Sequence, residues 1–371
     1  MSELGASLRA ARDRAGVSLA AMAGKTHYSK PLLGLIETGK RPVKPEHVQA
    51  YSRALQVPVD LLVGPSNDPI RIAHEWLVSD SPVQRHLESG RRIGSGLVNE
   101  LENRVVELRH LDDRIAGRDL FPLVEKEFAE VQSAVNSASY DSATSQRLYS
   151  VVGELAQLAG WVASDAGRHE HAAGIYLTGV SATREAGNDV LTGQILSSLS
   201  YQMANVGNPA DAALLARTAV KGANRATPIV RALLLERQAW ASARNRDHLE
   251  TMRTLDAVEI AFSEHAPGIE EPEWVYWLNR DEIDVMAGRC LIELGKPGDA
   301  EPLLTQAIEG YNQDHAREIS LYLSWLAEAY ARAGDVDAAQ ATLRRASEAG
   351  KNVNSARLDE RIGVISRLAT S

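Results

Sequence analysis

Four glycines, Gly167, Gly207, Gly295 and Gly334, stand at matching places in a pattern that covers much of the chain. Five residues after them come Ala172, Ala212, Ala300 and Ala339. Four residues further are Tyr176, Ala216, Leu304 and Leu343, and three beyond those Gly179, Ala219, Ala307 and Ala346. Steps of four and three keep side chains on one helix face, so each copy reads as a helix, a glycine turn and a second helix. The aligned copies are Gly153–Gly179, Gly193–Ala219, Asp281–Ala307 and Ser320–Ala346. A fifth, degenerate copy is expected near 232–258, around Trp240-Ala241 and Leu255-Asp256-Ala257. Such a unit cannot bury its apolar face alone, so the copies must stack into one solenoid with a curved groove.

The flanking sequence extends the array. Leu97, Leu101, Val105, Leu108 and Leu111 predict one long helix. Leu120–Ala138, with Leu123, Val124, Phe128 and Val131 inside, predicts its partner. A cap helix is expected over Ser355–Ala369. Its stripe of Leu358, Ile362, Ile365 and Ala369 has two readings, packing on the last repeat or a dimer surface. Composition favours an all-α protein, since aromatics are 5% of the 371 residues and β-branched runs are scarce. The single cysteine, Cys290, excludes an internal disulfide, fits a reducing cytoplasm and reads as core. No apolar run is long enough to cross a bilayer, and MSELGASLRAARDRAG carries acids and no signal-peptide core. The expected location is cytoplasmic, with no membrane partner.

Ahead of the array, Val17–Pro42 reads as a helix-turn-helix. Ser18 caps a first short helix with Leu19, Met22 and Ala23 inward. Gly24 to Tyr28 is expected to break it, because modest helix formers stand in a row. Ser29 caps a second helix, Pro31 sits in its first turn, and Leu32, Leu33 and Ile36 form its apolar face. Gly39 ends it where φ > 0 is needed, and Pro42 follows. Leu4, Leu8 and Ala11 predict a preceding helix over 4–15, and Pro45–Leu55 a following one. Val48, Tyr51, Leu55 and Leu61-Leu62 are expected to close the small core. Residues 1–64 carry 9 basic and 5 acidic side chains, and the remaining residues 31 and 44. A basic head on an acidic body offers only its head to phosphates. The clearest break is Gly64-Pro65-Ser66-Asn67-Asp68-Pro69. We therefore divide the chain into 1–64, a connector over 65–96 anchored by Ile72, Trp76 and Leu77, and 97–371. Gly94-Ser95-Gly96 reads as a flexible joint rather than a nucleotide loop, because no strand precedes it and no Gly-Lys-Ser/Thr follows.

Two resemblances follow from these residues. Over roughly 4–63 the chain resembles the DNA-binding domain of XRE-family regulators, the phage-repressor type. Leu8, Arg12, Gly16-Val17-Ser18, Ala23, Ser29, Ile36-Glu37-Thr38-Gly39-Lys40-Arg41-Pro42 and Ala54-Leu55-Gln56-Val57 carry it. It implies an Arg12–Glu37 ion pair and a recognition helix over about Ser29–Thr38, with Tyr28 in the core. It also implies a phosphate contact from Ser29 and a base-facing surface of Lys30, Pro31, Gly34 and Leu35. Lys25, Lys40, Arg41 and Lys44 flank that surface as phosphate contacts. The family's common phosphate-binding glutamine is replaced here by Leu19. With Pro31, Gly34 and Leu35 lacking donors, direct base readout is thin, and DNA shape and phosphates carry more of the specificity. The repeats resemble the tetratricopeptide repeat, whose grooves receive peptides or protein segments. The whole arrangement resembles a class of actinobacterial regulators and, in architecture only, peptide-responsive quorum-sensing regulators.

Other chemistry is not indicated. His169-Glu170-His171 places its histidines two residues apart, on different sides of a helix, so no metal site is expected. Glu270-Glu271-Pro272-Glu273 reads as a solvated charged loop opening a helix. Arg91-Arg92 reads as part of the joint. No catalytic constellation and no cofactor motif is present, so the protein is not expected to be an enzyme. For an effector (a peptide, a small molecule or a protein), the candidate groove contacts are Gln202, Trp277 and Arg280. The expected function is a sequence-specific transcriptional regulator that binds double-stranded operator DNA as a homodimer. The alternative is an interaction scaffold or anti-regulator with weak, non-specific DNA binding.

Overall fold

A computed structural model describes residues 3–55, 57, 93–113, 115, 117–311, 316–351 and 356–368. All regular structure among them is helical. The chain divides into two compact units, residues 1–75 and 76–371. Most of the proposed connector, with Ile72, Trp76, Leu77 and Arg91-Arg92, lies outside the described residues, as do Leu61-Leu62 and Ala369.

The first unit contains α1 (Glu3–Arg14), α2 (Leu19–Thr26), α3 (Lys30–Glu37) and α4 (Pro45–Leu55). Leu8, Met22, Leu33, Ile36 and Tyr51 are fully buried at its centre. Ser18 and Ser29 accept hydrogen bonds from the Ala21 and Leu32 N–H groups, capping α2 and α3. The break after α2 differs from expectation. The helix continues through Gly24 and Lys25 to Thr26, whose hydroxyl donates to the Met22 carbonyl at 2.8 Å. His27 ends it instead, at φ 58°. Propensity is a weak term beside the burial of Met22 and Thr26 on one face. A buried ion pair ties the ends of this unit together. Arg12 Nε and Nη2 donate to the two carboxylate oxygens of Glu37, both at 2.7 Å, and the Tyr51 hydroxyl donates to Glu37 Oε1 at 2.8 Å. One carboxylate thus joins α1, α3 and α4.

The second unit opens with α5 (Ser95–Asp112) and α6 (Gly117–Ser137). Five antiparallel pairs follow. They are α7 (Ser142–Asp165) with α8 (His169–Glu185), α9 (Asp189–Val206) with α10 (Pro209–Gly222), and α11 (Pro228–Arg244) with α12 (His248–Ser263). Then come α13 (Arg280–Glu293) with α14 (Pro297–Gly310), α15 (Ala316–Ala333) with α16 (Val336–Ala349), and the cap helix α17 (Ala356–Leu368). Ala172, Ala212, Ala300 and Ala339 are fully buried, as are Ala219, Ala307 and Ala346. α5 and α6 are not a tight pair of the same kind, because both pack mainly on α7 and touch one another lightly. The α17 stripe is covered by its own chain: Leu358 and Ile365 are buried and α17 packs on α15 and α16.

The turns show where glycine is required. Gly334 takes φ +84°, but Gly207 lies at φ −124°, and in the degenerate copy Arg246 occupies the turn at φ 59°. The close approach within a pair is clearest at Gly179 of α8. A Cβ there would stand 2.6 Å from Ala156 Cβ of α7, a backbone-anchored atom that has nowhere to go.

Gly179→Ala is expected to destabilise the repeat unit by about 1–3 kcal/mol through overpacking, seen as a lower urea midpoint in tryptophan fluorescence; an unchanged midpoint would show that α7 and α8 can separate freely. Glu37→Gln leaves the buried Arg12 cation with only Asp13, at 2.6 Å, and the Val17 carbonyl, and is expected to cost about 1–3 kcal/mol in the first unit. Amide exchange in α1 and α3 of the full chain should accelerate while α7–α16 stay protected.

Candidate functional site

The first candidate surface is the outward face of α3. Leu33, Ile36 and Glu37 anchor the inner face, which leaves Ser29, Lys30, Pro31 and Leu35 exposed, with Leu35 at 40%. Gly34 is half-buried, and a Cβ there would meet only Leu19 Cδ2 at 3.6 Å, an ordinary contact. Packing therefore does not require glycine at this helical position. After α3, the Lys40 and Arg41 N–H groups both donate to the Leu35 carbonyl, at 2.9 and 3.1 Å. This tight turn sets both side chains beside the helix end, exposed to solvent. Lys30, Lys40 and Arg41 have no acidic partner among the described residues. Lys44 lies 3.7 Å from Glu46 with both side chains largely exposed, and Lys25 Nζ donates to the Ala54 carbonyl at 3.4 Å. The surface is thus cationic, shallow and poor in directional donors.

Beneath this surface lies His47, a buried residue that the sequence reading missed. Its Nδ1 accepts from the Lys44 N–H at 3.0 Å and so caps α4, while Tyr28 packs edge-on 5.1 Å away. Burial lowers its pKa, and Lys44 and Arg41 push the same way against Glu46. A histidine two residues past a helix-opening Pro45 is the signal that was available.

The second candidate is the inner surface of the repeat unit, lined by the first helix of each pair. The coil closes on itself. Arg317 at the start of α15 donates to the Asp112 carbonyl of α5 at 2.9 Å and to Asp165 Oδ2 of α7 at 3.1 Å. The connection between α12 and α13 carries a 3-10 turn, Glu273–Val275, and crosses the opening: Tyr276 donates to Asp113, and His110 lies 3.3 Å from Glu273. Glu271, expected to be solvated, instead accepts from the Ile229 N–H at 3.1 Å and from the Thr227 hydroxyl, capping α11. The inner surface holds two half-open cavities of ≈ 370 and ≈ 380 Å³, with Trp161 and Tyr201, whose rings stack 5.8 Å apart, lining both.

The three predicted effector contacts do not converge. Gln202 lines the ≈ 380 Å³ cavity and donates to the His169 carbonyl at 2.8 Å, while Trp277 lines the ≈ 370 Å³ one. Arg280 lines neither, because Glu259 at 2.7 Å and Asp284 hold its guanidinium. What the sequence reading missed is the charge between the rings: Glu236, Arg237 and Arg289, exposed by only 3%, 7% and 5%. Burial pushes the Glu236 carboxyl up to about 7 against the pull of Arg237, and likewise Asp112 to about 7 against Arg317. A charged pair inside the apolar run ALLLERQAWA was the available signal. His171 bonds Glu125 at 2.7 Å, and no group of three metal-ligating side chains occurs among the described residues. Cys290 is fully buried, and burial raises its thiol pKa.

Comparison with known proteins agrees with this division. Residues 3–63 match the helix-turn-helix domain family model, and residues 291–358 match the tetratricopeptide repeat model. The chain therefore carries a helix-turn-helix domain and tetratricopeptide-type repeats. No curated protein sequence matches it. Among solved structures, that of Bacillus thuringiensis PlcR in complex with the peptide PapR7 and DNA aligns at 12% identity, over 83% of this chain and 93% of that one, with a TM-score of 0.36. The structure of a PrgX mutant aligns at 12% identity over 89% and 95%, also with a TM-score of 0.36.

The raised pKa of Glu236 has a defined sign. The folded unit holds a proton that the unfolded chain releases between its ordinary carboxyl range and about 7, so this group's contribution weakens as pH rises through that window. Glu236→Gln cannot ionise. Its melting temperature is expected to gain on the wild type between about pH 5 and about pH 8; a gap that stays constant would contradict the assignment.

Proposed function

We propose that the protein is a sequence-specific transcriptional regulator, acting as a cytoplasmic homodimer, whose repeat unit receives an effector that changes DNA binding. The observation that carries this reading is α3: one face locked by Leu33, Ile36 and the Arg12–Glu37 pair, the other exposed and flanked by Lys40 and Arg41, which have no acidic partner among the described residues. In a helix-turn-helix this second helix enters the major groove, with its N-terminal residues at base edges. Ser29 and the α3 N-terminus then bind a phosphate, and Lys40 and Arg41 grip the backbone beyond the helix end. Lys30 donates to guanine, and Leu35 touches a thymine methyl. Gly34 lets the helix lie close to the groove floor, which suits a reader of groove shape. One head of this size covers little DNA, so two half-sites about 34–36 Å apart are expected, one for each subunit.

The scaffold alternative rests on the same face, because Pro31, Gly34 and Leu35 offer no hydrogen bonds. Selection of the full-length protein against random DNA separates the two. A recovered two-fold motif supports the regulator, and no enrichment supports the scaffold. On the recovered site, Arg41→Ala is expected to lower the slope of log affinity against log salt by about 1. Lys30→Ala is expected to relax one base position at a cost of about 1–3 kcal/mol. A loss from Lys30→Ala that is uniform over all sequences would place Lys30 on a phosphate instead.

A further inference from the structure

Arg237 sits in the middle of α11, buried, with no hydrogen bond or ion pair among the described residues, although its charge is felt by the neighbouring Glu236. Its guanidinium lies 4.1 Å from the Tyr201 ring centroid, with Trp161 at 5.6 Å and Trp277 at 5.8 Å. It makes no hydrogen bond or ion pair with any described residue, and none of its nitrogens is sealed from the cavity it lines. On the neighbouring α13, Arg289 lies 4.3 Å from Trp240 and 4.4 Å from Trp325 and lines the same cavity. Its Nε and Nη2 are covered without a partner.

Buried cations elsewhere in this unit are neutralised. Arg104 meets Glu127 at 2.6 Å, Arg109 meets Glu154 at 3.3 Å, and Arg361 meets Glu328 at 2.7 Å. The nearby carboxyls do not serve Arg237. Glu282 is taken by the hydroxyls of Tyr311 at 2.6 Å and Tyr322, and Glu236 makes no ion pair among the described residues. A buried, unpaired charge is costly, and ring faces satisfy the plane of a guanidinium while leaving its donor edge unmet. A guanidinium held by its face with its edge free is preorganised for a planar pair of oxygens. Trp161, Trp277, Val285, Met286 and Leu321 supply the apolar part of the wall around a space of ≈ 370 Å³, whose lining also carries Asp112, Asp113, Glu236, Glu282 and Glu318; an anionic head fits only at the Arg237–Arg289 side, with an apolar body against the rings.

We propose that this cavity receives a small organic anion, a carboxylate or phosphate on an apolar body, whose oxygens bond the free edge of Arg237 while Arg289 adds a second positive charge. This names the ligand class of the effector-binding unit and rests on the regulator reading only for its consequence at DNA.

The test uses full-length protein and its tryptophan fluorescence, since Trp161 and Trp277 flank Arg237. The probes are phenylacetate, phenyl phosphate and N-acetyl-Ala-Phe. The uncharged controls are phenylacetamide, benzyl alcohol and the peptide amide. At least one acid should bind saturably and its control should not. Binding should weaken about tenfold or more in both Arg237→Met and Arg237→Lys, the latter keeping charge without the fork. Free Arg237→Met should melt higher than wild type, because it removes an unpaired buried charge. Which acid binds separates a phosphate from a small carboxylate or a peptide terminus. Failure of all three acids, equal binding of a control, or undiminished binding by Arg237→Met overturns the proposal. A bound acid that leaves DNA affinity unchanged keeps the anion site and removes effector control of DNA. An effector that shifts DNA affinity equally in Arg237→Met keeps effector control and removes the anion site.

Discussion

The repeat unit depends on helices standing closer than ordinary side chains allow. Gly179 against Ala156 is one such contact, and Gly193 of α9, where a Cβ would stand 2.8 Å from Ala223 Cβ, is another. Because these contacts bring the two helices of a pair together, the pairs stack with a steady rotation, and their first helices share one inner wall. That wall then carries residues a solvated helix would not keep: Trp240, Trp325, Tyr201, Tyr322 and the charged Glu236, Arg237 and Arg289, all nearly buried. Function here is a by-product of curvature, and curvature follows from small residues placed at fixed intervals.

The two units use buried charge differently. In the first, Arg12, Glu37 and Tyr51 saturate one another, and the result is a fixed angle between α1, α3 and α4. Such a group is a positioning device whose net stability is small and whose rupture is costly. At the rim of the second unit, Glu328 does the same for α15 and α17. Burial opposes its ionisation, but Arg361 and Arg332 outweigh that and hold its pKa below the usual range. Between those rims the balance is left open at Arg237 and Arg289.

The sequence made the helix pairs legible because their signal is local: a turn, then small residues at set offsets. The degenerate copy was legible in place but not in its turn, where Arg246 takes the conformation usually left to glycine. Caps were legible at Ser18 and Ser29, whose hydrogen bonds lie within three residues. What is non-local was not. Glu271 caps α11 through an N–H group 42 residues before it, and nothing in Glu-Glu-Pro-Glu announces that. The inner-wall charges escaped for the same reason. Arg237 looks like any helical arginine until five other helices are folded around it, whereas Arg280, beside conspicuous aromatics in the sequence, is held by Glu259 and Asp284.

Arg317 closes the coil on Asp112 and Asp165, which precede it by 205 and 152 residues. A ribosome therefore completes most of the inner wall long before the group that shuts it emerges. During synthesis the buried arginines of α11 and α13 face an unfinished, water-filled arc, where their charge is cheap to carry. The α12–α13 connection bridges part of the opening first, through Tyr276 and Asp113, and α15 then adds the Arg317 closure. A chain ending before residue 317 would keep its first four helix pairs and lose the Arg317 closure, so the completed inner wall depends on a contact made across most of the repeat unit.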